Sequence, residues 1–306
     1  VNWELPAAPS PESQEYLHQL RQGPAFGDPG NDFDLAGLRA GMGQRQEPAD
    51  PAVRCWPADA DGVPAEWVMA PGADPDVRLL YLHGGGFVSG SPGNYLPLAA
   101  ELSAAAACAV LLPDYRLAPE HPFPAAITDC CAAHEWLRHH GPQGRGPARA
   151  TLIAGDSAGG GLTLGTLLAL RDGGRSLPRA AMPLSACTDL TLASPSLGTE
   201  PDPICSARAM PHFVAMYLGA ADPRHPWASP VLADLRGLPP MLLQAGQHEM
   251  LRDDSVRLAA KARADGVATQ LQVWPGQVHV FQIRGLPESR AAVAHLAAFI
   301  RQHAAP

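Results

Sequence analysis

The chain has 306 residues, 46% of them apolar and 17% charged, with a net charge of −8. That composition excludes a disordered protein, and a chain this long buries a large core without disulfide or metal staples. The acidic balance repels phosphate backbones, which argues against a nucleic-acid partner, and no apolar run approaches the ~18 residues of a membrane span. The six cysteines, Cys55, Cys108, Cys130, Cys131, Cys187 and Cys205, form no C-x-x-C pair. Residues 1–22 carry Glu4, Glu12 and Glu15 and lack the basic, apolar and small-residue pattern of a secretory leader. The expectation is a cytoplasmic protein with reduced thiols.

Along the chain, residues 1–50 are rich in Pro, Gly and Asp, with one helical stretch at 10–22. Short apolar runs then recur at 65–69, 77–83, 108–113, 150–154, 180–187, 241–245 and 271–274. Helical patterns at 95–107, 125–140, 159–171, 253–265 and 288–301 separate most of them. Alternating strands and helices predict an α/β fold with a mostly parallel sheet covered on both faces. The stretch 188–230 breaks the alternation, with seven prolines and a helical pattern at 207–218. It is too long for a simple connection, and it is expected to pack with the first 50 residues over one end of the sheet.

The strongest motif is Gly155-Asp156-Ser157-Ala158-Gly159, between the run Thr151-Leu152-Ile153-Ala154 and an apolar helical pattern. This is the G-x-S-x-G elbow in its strand–turn–helix setting, which lifts a serine hydroxyl above the sheet. Earlier, His83-Gly84-Gly85-Gly86-Phe87 ends a buried strand pattern. Three glycines there expose consecutive backbone N–H groups, the donors that an acyl-transfer oxyanion requires. No G-x-x-x-x-G-K-[ST] pattern supports a phosphate cradle instead.

A nucleophilic serine needs a base, and the base needs an orienting carboxylate, in the chain order Ser, acid, His. His279 follows the run 271–274, in the expected post-strand loop, and His248 is a weaker alternative. The run 241–245 is followed by Glu249, Asp253 and Asp254, and the residues alone leave the choice among these acids open.

The sequence resembles the hormone-sensitive-lipase-like family of α/β-hydrolases, bacterial carboxylesterases with an HGGG motif. The likeness rests on the His83–Phe87 motif, Asp114-Tyr115-Arg116-Leu117-Ala118-Pro119-Glu120-His121-Pro122-Phe123-Pro124-Ala125, the Gly155–Gly160 elbow and the His279 loop. It implies an α/β-hydrolase fold with Ser157 as nucleophile and His279 as base. It implies Gly85, Gly86 and Ala158 as oxyanion donors, with His83, Gly84 and Asp156 as support. The commoner pattern has an aspartate where this chain has Glu249, which falls on the acid position. Residues 1–50 and 188–230 would form the cap, and 51–306 the catalytic domain. The resemblance further implies a small-molecule ester substrate and, as in many relatives, a homodimer. No cluster of metal ligands has useful spacing, so no metal or cofactor is expected, and the apolar runs point to no membrane.

The leading expectation is a serine carboxylesterase acting on short acyl esters, with Trp3, Phe26, Phe33, Phe213, Met216 and Tyr217 in the cap. Two rivals stand beside it. One is an amide hydrolase or deacetylase of a small natural product on the same machinery. The other is a non-catalytic ligand-binding protein on the esterase scaffold.

Overall fold

The computed structural model of the chain describes residues 4–23, 34–199 and 202–305, so Trp3, Phe26 and Phe33 lie outside the described residues. The strands are β1 (Arg54–Asp59), β2 (Pro64–Met69), β3 (Asp74–Leu82), β4 (Cys108–Pro113), β5 (His140–Gly141), β6 (Gly144–Arg145), β7 (Ala150–Asp156), β8 (Ala181–Leu184), β9 (Met241–His248) and β10 (Thr269–Val278). Eight of them form one sheet in the order β1-β2-β4-β3-β7-β8-β9-β10, and β5 and β6 pair separately. β2 runs antiparallel to β1 and β4, and the six strands from β4 to β10 are parallel.

The parallel strands read as unbroken apolar runs because both of their faces are buried. Alternate residues serve opposite layers. Leu80 and Leu82 of β3 join one core cluster, and Leu79 and Tyr81 join the other. Helices α4 (Ala125–His139), α5 (Ala158–Asp172) and α8 (Arg252–Ala264) cover the first face, and α3 (Leu96–Ala106) and α9 (Pro287–Ala304) the second. The predicted runs all fall on strands of this sheet. The one predicted at 180–187 is cut short after Leu184, because Ser185 turns to a φ of 45° and leaves the ladder. β1 was not among the predicted strands.

Four helices stand outside the alternation: α1 (Pro11–Leu20), α2 (Leu35–Met42), α6 (Pro195–Thr199) and α7 (Met210–Leu218). The single helix expected in the first 50 residues is α1, and α2 and α6 are additional. Ser10 caps α1 by accepting the Ser13 N–H at 3.2 Å. Glu288 of α9 fastens that end. Its carboxylate accepts from Ser10 N at 2.5 Å, Ser10 Oγ at 2.9 Å and Ser13 Oγ at 2.6 Å. The apolar face of α1, with Tyr16, Leu17 and Leu20, packs on Trp274, Val278 and Phe281.

Asp34 caps α2 through the Gly37 N–H at 2.9 Å. From α2, Arg39 donates to Val88 O at 2.8 Å and Ala118 O at 2.9 Å, and forks onto both oxygens of Glu120. On the other side, Asp254 of α8 accepts from Thr188 N at 2.7 Å and Asp189 N at 3.0 Å. Asp202 accepts from Met250 N at 3.0 Å. Both segments that break the β/α pattern are thus held by side-chain carboxylates and guanidinium groups.

Candidate active site

Ser157 stands between β7 and α5 with φ 54° and ψ −119°, a conformation that L side chains rarely adopt. Neighbouring backbone holds it there: Ser157 N donates to Leu184 O at 2.8 Å, and Ser157 O accepts from Cys187 N at 2.9 Å. The flanking glycines answer to close approach. A Cβ on Gly155 would meet Leu82 O at 2.6 Å, and one on Gly159 would meet His83 O at 2.5 Å. The elbow therefore needs glycine where β3 passes against it.

The His83–Phe87 turn lies beside this elbow. Gly85 and Gly86 have φ of +125° and +64°. Gly85 O accepts from Ser89 N at 3.0 Å and Ser89 Oγ at 2.8 Å, closing the turn. Gly85, Gly86 and Ala158 all line the cavity above Ser157. Ala158 opens α5, so its N–H is among those a helix leaves without an internal acceptor.

Asp156 ties the two motifs together. Its buried carboxylate accepts from Tyr81 OH at 3.0 Å, Tyr95 OH at 2.9 Å and Gly84 N at 3.2 Å. Burial pushes its pKa up to about 6, against the pull of those donors. His83 is buried too, stacked on Tyr115 with ring centroids 4.3 Å apart. Burial pushes its imidazole down to about 4, so it is neutral, and Nδ1 donates to Gly84 O at 2.8 Å. Tyr115 OH donates to His83 O at 2.7 Å, which makes the Asp114–Ala125 stretch a brace under the turn.

His279 follows β10, and its Nε2 lies 3.0 Å from Ser157 Oγ. Its Nδ1 lies 3.7 Å from Glu249 Oε2, an ion-pair distance longer than a hydrogen bond. Glu249 is fully buried and follows β9. Its Oε2 accepts from Ser185 Oγ at 2.7 Å and Gly246 N at 3.0 Å. Neither His279 Nδ1 nor Glu249 Oε1 has a hydrogen-bond partner. Asp253 lies in the first turn of α8, paired with Arg252 at 3.0 Å, and Asp254 is spent on Thr188 and Asp189. His248 sits at the end of β9 opposite Val278.

Three neighbours carry no sequence motif. Ser185 links the two loops, its hydroxyl donating a hydrogen bond to Glu249 and accepting one from Val280 N at 3.1 Å. The Cys205 sulfur interacts with the His279 ring. Arg284, five residues after His279, lines the same cavity. Burial works to lower the His279 pKa, but Cys205 and Glu249 outweigh it and hold the imidazole above its usual range.

The cavity encloses about 440 Å³. Leu20, Met42 and Gln46 from the first 50 residues line it, as do Ile204, Cys205 and Phe213 from 188–230. The Phe213 ring lies against Gly86, where a Cβ would meet it at 3.0 Å. Tyr217 instead stacks on Phe87 at 3.9 Å in the core, and Met216 packs against the core from outside.

A serine raised on a strained elbow, with an imidazole at hydrogen-bond distance, defines a hydrolase-type site on a parallel sheet. Residues 79–283 match the family described as alpha/beta hydrolase fold, and the chain belongs to that family. It is 42% identical over 241 residues to an acetyl-hydrolase of Streptomyces hygroscopicus, covering 78% of this chain and 79% of that one. It is 33% identical over 257 residues to an esterase of Acinetobacter venetianus, covering 82% and 83%. Among solved structures, the esterase EstE5 soaked with p-nitrophenyl butyrate superposes with a TM-score of 0.89 at 40% identity, over 97% of this chain and 100% of that one. An esterase of the bacterial hormone-sensitive lipase family gives 0.86 at 38%, over 97% and 100%. The chain is a carboxylic ester hydrolase of that family, which sets aside the non-catalytic ligand-binding reading. Among the described residues, no helix is long and apolar enough to cross a membrane.

Proposed function

We propose that this chain is a serine carboxylesterase for short acyl esters, working through an acyl-enzyme on a Ser157–His279–Glu249 triad. The observation that carries the proposal is the 3.0 Å approach of His279 Nε2 to Ser157 Oγ on the strained elbow. Ser157 Oγ attacks the acyl carbonyl while His279 Nε2 takes its proton. The carbonyl oxygen becomes an oxyanion facing the N–H groups of Gly85, Gly86 and Ala158. The C–O bond to the alcohol breaks, and His279 returns the proton to the leaving oxygen. Water, deprotonated by His279, then releases the acid and restores Ser157.

Glu249 is favoured as the acid because its Oε1 and His279 Nδ1 are both buried and unpartnered. A small carboxylate rotation pairs them, and catalytic hydrogen bonds that are long in the free enzyme tighten with substrate. His83, Gly84 and Asp156 act as supports for the turn. The segments 1–50 and 188–230 serve as the cap, since both wall the cavity. Short acyl groups suit a cavity of about 440 Å³ with the Phe213 ring set against Gly86. All six cysteines are free thiols, which suits a cytoplasmic setting.

The likeness to an acetyl-hydrolase favours one variation, removal of an acetyl group from oxygen or nitrogen by the same machinery. Fluorophosphonate labelling, with turnover of p-nitrophenyl esters of graded acyl length and of matched acetamides, tests both. Labelling at Ser157 and fastest turnover of acetyl to butyryl esters is expected. Absence of labelling at Ser157 would falsify the triad, and faster acetamide turnover would shift the assignment to a deacetylase.

A further inference from the structure

The cavity over Ser157 is mostly apolar, and Arg284 is the single Arg or Lys side chain on its wall among the described residues. The guanidinium belongs to the turn Phe281–Arg284, which leaves directly from the His279 loop. It is half-buried, and its Nε is buried without a hydrogen-bond partner. No carboxylate or carbonyl among the described residues pairs with it. Other arginines of this chain find such partners: Arg39 has Glu120, Arg116 has Asp129, and Arg257 has Asp189. The one carboxylate on the cavity wall, Asp156, is spent on Tyr81, Tyr95 and Gly84.

A half-buried guanidinium without an anion is costly, and no carboxylate among the described residues compensates it. Its planar fork matches a carboxylate. Gln46 on the same wall adds an amide group near a polar ligand. The alcohol part of an ester leaves on the side of the imidazole that protonates it, and Arg284 lies on that imidazole's own loop.

We propose that Arg284 is a specificity residue that receives a carboxylate carried by the alcohol portion of the ester, so that the preferred substrates are short acyl esters of hydroxy acids. This rests on the assignment of Ser157 and His279 given above. The guanidinium takes no part in bond making. It holds the anion so that the scissile carbonyl lies over Ser157.

The test compares 4-acetoxybutanoate with its neutral isostere 4-acetoxybutanamide, and monomethyl glutarate with its neutral amide, in the intact protein and in the Arg284→Gln and Arg284→Lys variants. The protein should favour 4-acetoxybutanoate over the amide by about ten-fold or more in kcat/KM, chiefly through KM, as a hydrogen bond to a charged group warrants. Arg284→Gln should bring that ratio to about one, and Arg284→Lys should restore part of it. A ratio unchanged in Arg284→Gln, or no preference in the unmodified protein, overturns the proposal. An Arg284-dependent preference seen only with monomethyl glutarate overturns the placement on the alcohol side. Fluorophosphonate labelling of Ser157 in the same preparations reports separately on the esterase reading, so the two fail in distinguishable ways.

Discussion

The two walls of the cavity are built by different means. The sheet-side wall consists of turns that leave the ends of β3, β7, β9 and β10, where backbone geometry fixes every position. Positive φ at Gly85, Gly86 and Ser157 and the crowding at Gly155 and Gly159 leave little freedom there. The opposite wall comes from α1, α2 and the 188–230 segment, which among the described residues add no strand to the sheet. Side chains strap it on: Glu288 to Ser10 and Ser13, Arg39 to Glu120, and Asp254 to Thr188. Damage to the first wall should therefore appear in kcat with little change in stability. Damage to the second should appear as local loosening with the chemistry intact.

Ser157→Ala breaks this contrast most sharply. Turnover should fall on the order of 10⁴-fold or more, with no fluorophosphonate adduct and an unchanged thermal midpoint. Near-normal kcat in a pure preparation would remove Ser157 from the chemistry.

Glu249→Gln should lower kcat by up to ~10⁴-fold at neutral pH, because the imidazolium loses its counter-charge and its fixed tautomer. The pH profile sharpens this. Burial opposes the His279 charge, but Cys205 and Glu249 outweigh it and hold the imidazole above its usual range. A base works unprotonated, so the rising limb of kcat/KM should lie above the ordinary histidine value of about 6.5. In Glu249→Gln the limb should move down. A limb below 6 in the unmodified enzyme would contradict the raised imidazole.

On the strapped wall, Glu288→Ala removes three accepted hydrogen bonds and should cost about 1–3 kcal/mol locally. Hydrogen exchange should show α1 losing protection while sheet amides keep theirs. Burial opposes the Glu288 charge, but Ser13 and Ser10 outweigh it and hold the carboxyl below its usual range. Its contribution is present above the ordinary glutamate pKa and is lost as pH falls through the lowered value. Docking of α1 should weaken on acidification in the unmodified protein and show no such dependence in Glu288→Ala.

Asp253→Asn should have the smallest effect, about 1 kcal/mol or less, since Asp253 contacts Arg252 at the start of α8 and no group at Ser157. Loss of activity there, with Glu249→Gln still active, would reverse the choice of acid.

What the sequence reveals follows the same division. The elbow, the glycine turn and the His279 loop are legible because each imposes a backbone shape that few residues tolerate. β1 is harder to read because it is a half-exposed edge strand that carries Pro57, where a missing N–H is harmless. α2 has a readable cap in Asp34, but Gly37 and Gly41 weaken its helical pattern. Ser185 and Cys205 come to His279 from two separate places in the chain, and no local spacing announces such a meeting. The proposed choice of Glu249 over Asp253 likewise turns on which carboxylate the β9 loop buries.

The Asp156 carboxylate has a dynamic consequence. It is covalently next to Ser157 and bonded to Gly84, so the elbow and the glycine turn are tied to each other and are expected to move together. On the proposed mechanism, the turn then needs no slow rearrangement ahead of acyl transfer. The rate of acylation should then be indifferent to solvent viscosity, and any viscosity dependence in turnover belongs to substrate entry and product escape past the strapped wall.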